Sequence, residues 1–117
     1  MKGKVVLIDF SFIGCVPCLE AIPIMNKLHE KYIGKNVAII SLYFRDNNKA
    51  VKKFIQDYNI KYPLYANAAK VAEQYGVGGA PTFYFIDKNG IINKVLPSLS
   101  DDFEEQAISI IEQQLNK

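Results

Sequence analysis

The chain has no tryptophan, one histidine and only two cysteines among its 117 residues, so few side chains could bind a transition metal. Its net charge is +2, from 14 basic and 12 acidic residues. The basic residues are scattered and form no stripe, so the sequence gives no indication of binding to nucleic acid. The longest apolar runs are far shorter than a membrane span. Residues 1–4 lead directly into a strand without a small-residue cleavage site, so we expect no secretory signal peptide in this sequence.

The two cysteines, Cys15 and Cys18, are separated only by Val16 and Pro17. A loop this short is not typical of a structural cross-link, so the pair predicts either a redox site or a metal site. Zinc sites usually have four ligands, and His29 is the only other soft ligand, so we favour a redox dithiol. Zinc binding and a disused cysteine pair stay open as alternatives.

The residues around the cysteines predict a strand followed by a helix. Residues 4–10 are apolar on both faces except for Asp9, which is typical of a buried strand. Residues 16–33 carry an apolar stripe at helical spacing, with Pro17 in the first turn, a kink expected at Pro23, and Gly34 as the end. Cys15 would then lie at the helix N-terminus, where free N–H groups and the macrodipole favour a thiolate.

The rest of the chain continues the alternation of strands and helices, and half of all residues are hydrophobic, so we expect one domain over residues 1–117. Residues 37–44 predict a second buried strand, parallel to the first. The later elements are a helix over 48–58 capped by Asn47 or Asn48, an extended segment over 61–66, a helix over 67–75, an antiparallel hairpin with strands 82–87 and 91–95, and a helix capped by Ser100 or Asp101 that runs to about 115.

Three segments carry a resemblance to a known family. They are Gly3–Phe10 followed by Cys15–Cys18, then Asn59–Leu64, and then Tyr75–Thr82 with the hairpin that follows. In order and spacing, residues 3–95 resemble the thioredoxin superfamily, and within it the TlpA/ResA-type branch, which is related to the AhpC/TSA group. The resemblance implies an α/β thioredoxin-like fold, with a central mixed sheet of about four strands flanked by helices and the extra helix and strand of this branch.

The chain departs from the family pattern beside the cysteines and at its start. Family members usually carry Phe-Trp-x-x-Trp before the first cysteine, whereas this chain has Phe10-Ser11-Phe12-Ile13-Gly14. Many members have a glutamate three positions after the second cysteine, where this chain has Ala21, so the role of that glutamate does not carry over. The branch usually has a hairpin or strand before Gly3, which this chain lacks, so we expect strand 37–44 to be an open edge, in a monomer or a weak dimer.

The resemblance implies thiol–disulfide exchange, in which Cys15 attacks a substrate disulfide and Cys18 resolves the mixed disulfide. It also implies a cis peptide bond at Pro81 beside the cysteines, and substrate contacts from Gly14, Val16, Pro17, Gly79 and Ala80. Asp9 lies six residues before Cys15, and a buried acid below Cys18 could accept and return its proton. A solvent-facing or hydrogen-bonded Asp9 near the strand end is the alternative.

The predicted partners are protein disulfide substrates and a second redox protein that recycles the dithiol, without an organic cofactor or a metal. The resemblance implies a periplasmic or other extracytoplasmic location, membrane-attached or secreted in the full-length form, although the residues do not exclude the cytoplasm. Two alternative functions stay open. One is a thiol peroxidase, disfavoured because Phe12 stands where those enzymes usually have Thr or Ser, and the other is a non-catalytic binding module.

Overall fold

A five-stranded mixed sheet with helices on both faces forms the computed structural model, which describes residues 2–117. Along the chain its elements are β1 (Val5–Ser11), α1 (Val16–Tyr32), β2 (Val37–Tyr43), α2 (Asn48–Asp57), β3 (Leu64–Tyr65), α3 (Ala69–Tyr75), β4 (Thr82–Ile86), β5 (Ile92–Leu96) and α4 (Phe103–Leu115). The strand order is β3-β2-β1-β4-β5. Strands β1, β2 and β3 are parallel, while β4 is antiparallel to both β1 and β5.

Strand β1 is the centre of the molecule, and all seven of its residues are buried. Because side chains alternate along a strand, Val5 and Leu7 point to one face of the sheet, and Val6 and Ile8 point to the other. The first face, called the α1 face here, packs with apolar residues of α1, α2 and α4, such as Met25, Phe54 and Ile111. The second face, called the α3 face, packs with residues of α3, among them Ala72 and Tyr75.

Helix α1 confirms the predicted apolar stripe at Ile22, Met25, Leu28 and Tyr32, which are buried. The prediction is wrong for Val16, which is exposed, while Leu19 is half-buried, and Cys18 and Ala21 complete the buried face. Pro17 lies in the first turn, and the helix continues through Pro23. It ends at Tyr32, and Gly34 follows with a φ of +79°, which favours glycine. The Tyr32 hydroxyl donates a 2.7 Å hydrogen bond to Glu112 and so joins α1 to α4.

The sheet has one strand more than the approximate four that the sequence predicts. Leu64–Tyr65, inside the predicted extended segment, pairs in parallel with Ser41 and Leu42 of β2. Strand β2 is therefore not open along its whole outer edge, and the prediction of an unprotected edge is wrong for these two residues. Residues 37–40 have no paired strand on that side and instead line a cleft of about 480 Å³.

The start of the last helix differs from the prediction. Helix α4 begins at Phe103 with Asp102 as the preceding cap residue, so the predicted cap at Ser100 or Asp101 is wrong by one or two positions. Ser100 instead donates a 2.8 Å hydrogen bond to the Asp102 carboxylate. Within residues 2–117, no helix is both long and apolar enough to cross a lipid bilayer.

Candidate active site

The cysteine pair lies where strand β1 passes into helix α1. Cys15 and Cys18 are at disulfide-bonding distance, with their Cα atoms 5.2 Å apart, and no other cysteine is present. Their exposed fractions are only 6% and 2%, so Cys15 is slightly closer to the surface than Cys18. This difference agrees with the predicted order of a more accessible first thiol and a more buried second thiol.

Cys15 is the N-cap residue of α1, and its extended backbone (φ −82°, ψ 111°) lets the sulfur turn back over the first helical turn. The Cys15 Sγ atom accepts a 3.3 Å hydrogen bond from the backbone N–H of Cys18. A helix N-terminus leaves N–H groups without intrahelical partners and carries a partial positive charge. Both features stabilise a thiolate on Cys15 more than a neutral thiol.

The loop before β4 reaches the same sulfur from the other side. The peptide bond between Ala80 and Pro81 is cis, as the sequence predicts, and the Ala80 carbonyl oxygen lies 3.6 Å from Cys15 Sγ. Pro81 is buried, whereas Ala80 is half-buried and Gly79 is exposed. The Thr82 hydroxyl donates a 2.7 Å hydrogen bond to the Gly79 carbonyl and so fixes the loop.

The predicted substrate-contacting residues next to the cysteines are accessible. Gly14 and Pro17 are exposed, and the Val16 side chain is 64% exposed although it is apolar. Gly14 has a φ of +98°, a backbone conformation in which a side chain is disfavoured, so an aromatic residue could not replace it without strain. The buried sulfur atoms are therefore bordered by small or apolar exposed groups.

Asp9 is buried beneath this region and is 2% exposed, so the solvent-facing alternative is wrong, while the alternative of a hydrogen-bonded Asp9 is confirmed together with its burial. Its side chain points to the α1 face of the sheet, where α1 contributes the buried Cys18. Ser11 and Ser41 donate hydrogen bonds of 2.6 Å and 2.8 Å to its two carboxylate oxygens. Burial raises the pKa of Asp9 from its ordinary 3.8 to about 6, and the two serine hydrogen bonds partly oppose this rise.

A second group of residues holds the loop between β1 and Cys15. The Asp46 carboxylate accepts a 2.9 Å hydrogen bond from the backbone N–H of Ile13. The Arg45 guanidinium lies 4.3 Å from the centre of the Phe12 ring, close enough for a cation–π interaction. Phe12 also meets Phe44 edge-on, with ring centres 5.8 Å apart.

Sequence reasoning missed four residues of this site: Ser11, Ser41, Arg45 and Asp46. Ser11 and Ser41 occupy positions that strand alternation assigns to the core. Because a buried hydroxyl requires a hydrogen-bond partner, this pattern could have indicated that both serines bind a buried polar group. Arg45 and Asp46 carried no such signal, because their contacts depend on how β2 ends beside the loop that follows β1. Glu20 is exposed and His29 is half-buried, and among residues 2–117 neither side chain makes a hydrogen bond to a cysteine.

The described part of the chain shows no metal centre at the cysteines. Among residues 2–117, no three His, Cys, Asp or Glu side chains lie together in a way that could hold a metal ion. The 480 Å³ cleft lies beside the free part of the β2 edge, and none of the predicted site residues lines it.

Comparison with known proteins agrees with this architecture. The chain is 41% identical over 91 residues to the thiol-disulfide oxidoreductase ResA of Bacillus thuringiensis strain Al Hakam, covering 77% of this chain and 53% of that protein. It is 36% identical over 117 residues to ResA of Bacillus thuringiensis subsp. konkukian, covering 99% of this chain and 64% of that protein. A crystal structure of a candidate thiol:disulfide interchange protein DsbE from Chlorobium tepidum superposes with a TM-score of 0.89 at 25% identity, covering 97% of this chain and 82% of that one.

These matches establish a thioredoxin-like fold, to which the cysteine pair, the loop with the cis proline and the mixed sheet all conform. The chain spans about half the length of the curated relatives that it matches. A profile of the AhpC/TSA family matches residues 1–95, which include β1, both cysteines and Pro81. The chain therefore belongs to the AhpC/TSA family.

Proposed function

We propose that this protein is a thiol–disulfide oxidoreductase that reduces or exchanges disulfides of protein substrates through Cys15 and Cys18. The observation that carries the proposal is the position of Cys15 Sγ. It caps helix α1, lies at bonding distance from Cys18, and contacts the Ala80 carbonyl of the loop with the cis proline. The Cys15 sulfur is thus activated, and the Cys18 sulfur lies within bonding distance to resolve a mixed disulfide, as exchange requires. The loop backbone at Ala80 lies beside the Cys15 sulfur.

The exchange has two steps. The Cys15 thiolate attacks one sulfur of the substrate disulfide, forms a mixed disulfide and releases the other substrate sulfur as a thiolate. The Cys18 thiol then loses its proton and attacks Cys15 Sγ, which releases the second substrate sulfur. Two electrons pass from the protein to the substrate, and a partner redox protein must return two electrons to the new Cys15–Cys18 disulfide.

Asp9 is the acceptor that we assign to the Cys18 proton. Both residues are buried in the layer between the sheet and α1, where water has little access to either. Burial raises the pKa of Asp9 to about 6, so near neutral pH the carboxylate is ionised yet basic enough to take up a proton. The proton then returns when the disulfide is reduced again.

The exposed residues beside the cysteines support a protein substrate. Val16 offers an apolar contact, and the backbone of Gly79 and Ala80 could pair with an extended substrate segment that carries the target disulfide. The resemblance to the TlpA/ResA-type branch supports a location outside the cytoplasm, with a membrane-attached or secreted full-length form.

The test is reduction of insulin and of a small aromatic disulfide by the reduced wild-type protein and by Cys15→Ser and Cys18→Ser variants. Wild type should reduce both substrates, Cys15→Ser should reduce neither, and Cys18→Ser should accumulate a mixed disulfide visible by mass spectrometry. Trapping on Cys18 in the Cys15→Ser variant instead would reverse the assignment of the two thiols.

Two further outcomes would overturn the proposal. Folded wild type that reduces no disulfide and shows no redox midpoint against glutathione or dithiothreitol would support a binding module. Rapid consumption of hydrogen peroxide with little disulfide reduction would support a thiol peroxidase. Circular dichroism of each variant, compared with wild type, separates loss of chemistry from loss of fold.

A further inference from the structure

Each oxygen of the buried Asp9 carboxylate has its own serine hydroxyl. Ser11 Oγ donates to Oδ1 at 2.6 Å, and Ser41 Oγ donates to Oδ2 at 2.8 Å. Both serine residues are 0% exposed. The two bonds come from different strands, because Ser11 lies two residues further along β1, while Ser41 lies directly opposite Asp9 on β2.

The two serines differ in one respect. Ser41 Oγ also lies 3.1 Å from the backbone carbonyl oxygen of Asp9, so its single proton has a second acceptor. Among residues 2–117, Ser11 Oγ donates to Asp9 Oδ1 and makes no other side-chain hydrogen bond. This difference between the two serines matters when the Asp9 carboxylate takes up a proton.

When Asp9 is ionised, both serines donate to it. When Asp9 carries a proton on Oδ2, Ser41 can turn its own proton to the Asp9 carbonyl and accept the new one. Ser11 has no second acceptor and continues to donate to Oδ1, but a bond to a neutral carboxyl group is weaker than one to a carboxylate, so the Ser11 bond favours the ionised form.

We propose that Ser11 and Ser41 are positioning residues that set the proton affinity of Asp9, with Ser11 favouring the ionised form more strongly than Ser41 does. The inference rests on the proposed function for its use in exchange, because Asp9 acts there as the acceptor of the Cys18 proton. Among residues 2–117, neither serine makes a hydrogen bond to a sulfur atom, so both act through Asp9.

The other groups around Asp9 do not replace the serines in this role. Burial and the Asp9 charge both raise the pKa values of Tyr43 and Tyr62, which keeps the two phenols neutral. Helix α1 contributes the thiol of Cys18, β4 contributes the apolar Phe83, and α4 contributes the apolar Phe103. No charged side chain is among the causes of the raised pKa of Asp9, which burial dominates and the two serines oppose.

The experiment titrates the Asp9 carboxyl carbon by NMR in the oxidised protein, with Asp9→Asn used to assign the resonance. The variants are Ser11→Ala and Ser41→Ala. Ser100→Ala is the matched control, because Ser100 makes a similar bond to the exposed Asp102. We expect Ser11→Ala to weaken Asp9 as an acid about tenfold, Ser41→Ala to weaken it clearly less, and the control to leave it unchanged.

An Asp9 titration that does not move in Ser11→Ala, or that moves as much in Ser41→Ala, would overturn the inference. If Ser11→Ala does not fold, Ser11→Cys gives the same comparison, because it has nearly the same volume and a much weaker donor. The pH dependence of the second exchange step is measured on the same variants. An Asp9 titration that moves while this pH dependence stays fixed would overturn the proposed proton role of Asp9 and still support the serine inference.

Discussion

Strand β1 shows two buried faces that differ in chemistry. On the α3 face, Val6, Ile8 and Phe10 are apolar, and Phe10 contacts the rings of Tyr75 and Tyr84 at centre distances of 5.3 Å and 5.5 Å. On the α1 face, the apolar Val5 and Leu7 are followed by Asp9 and Ser11, which are just as buried. Buried polar groups lower stability unless they are paired, so their presence on one face alone marks the face that serves the cysteines.

The largest expected effect on stability comes from the apolar face. Phe10→Ala removes a ring that is 0% exposed and leaves a cavity, so it should lower the free energy of unfolding by about 3–5 kcal/mol. Urea unfolding at neutral pH measures the loss. The titration of Asp9 should stay unchanged in this variant, and a large change would contradict the separation of the two faces.

The next effect comes from the polar face and depends on pH. The folded pKa of Asp9, about 6, lies above its ordinary 3.8, so the folded protein binds this proton more tightly than the unfolded chain. The resulting stability is complete below pH 3.8 and is lost as the pH rises through about 6, which amounts to about 3 kcal/mol.

Asp9→Asn removes this titration, so its unfolding free energy relative to wild type should rise by about 2.5 kcal/mol between pH 4 and pH 7.5. Urea unfolding at several pH values measures the difference, and the exposed Asp101→Asn is the control. A constant difference across this range would contradict the raised pKa of Asp9. Slow resolution by Cys18 should accompany the gain in stability at neutral pH.

The smallest effect concerns a hydrogen bond of Tyr84 on the α3 face near Phe10. The Tyr84 hydroxyl donates a 2.8 Å hydrogen bond to the Tyr75 carbonyl, and Tyr84→Phe keeps the ring while it removes this bond. We expect a loss of about 1 kcal/mol in urea unfolding and no change in disulfide exchange. The exposed Tyr58→Phe is the control, and a change in exchange rate would show that this face also contributes to the chemistry.

The elements defined by local pattern were predictable from the sequence. The apolar run of β1, the helical stripe of α1, the Asn47 cap of α2 and the Asp87–Gly90 turn each depend on residues close together in the chain. Strand β3 was less predictable, because two residues carry no periodicity and form a strand only through pairing with β2.

The residues of the site also divide into those that were predictable from the sequence and those that were not. Cys15 and Cys18 were evident from their spacing, and the cis bond at Pro81 was implied by the family resemblance. The Ser41 contact was not predictable, because it depends on the parallel register that sets Ser41 opposite Asp9 across 32 residues of sequence. The bond from Ile13 to Asp46 spans 33 residues and depends on tertiary structure in the same way.

The cysteine pair closes only the first turn of α1, so its disulfide restricts the unfolded chain little. A thermodynamic cycle then connects two quantities that are usually measured apart. The first quantity is the difference in unfolding free energy between the oxidised and the reduced protein. It equals the second quantity, which is the difference between the free energy of reducing the disulfide in the folded protein and that of reducing it in the unfolded chain. About 1.4 kcal/mol corresponds to about 30 mV. Denaturation of the two forms therefore indicates the direction of electron flow: a more stable reduced form makes the protein an oxidant, and a more stable oxidised form makes it a reductant.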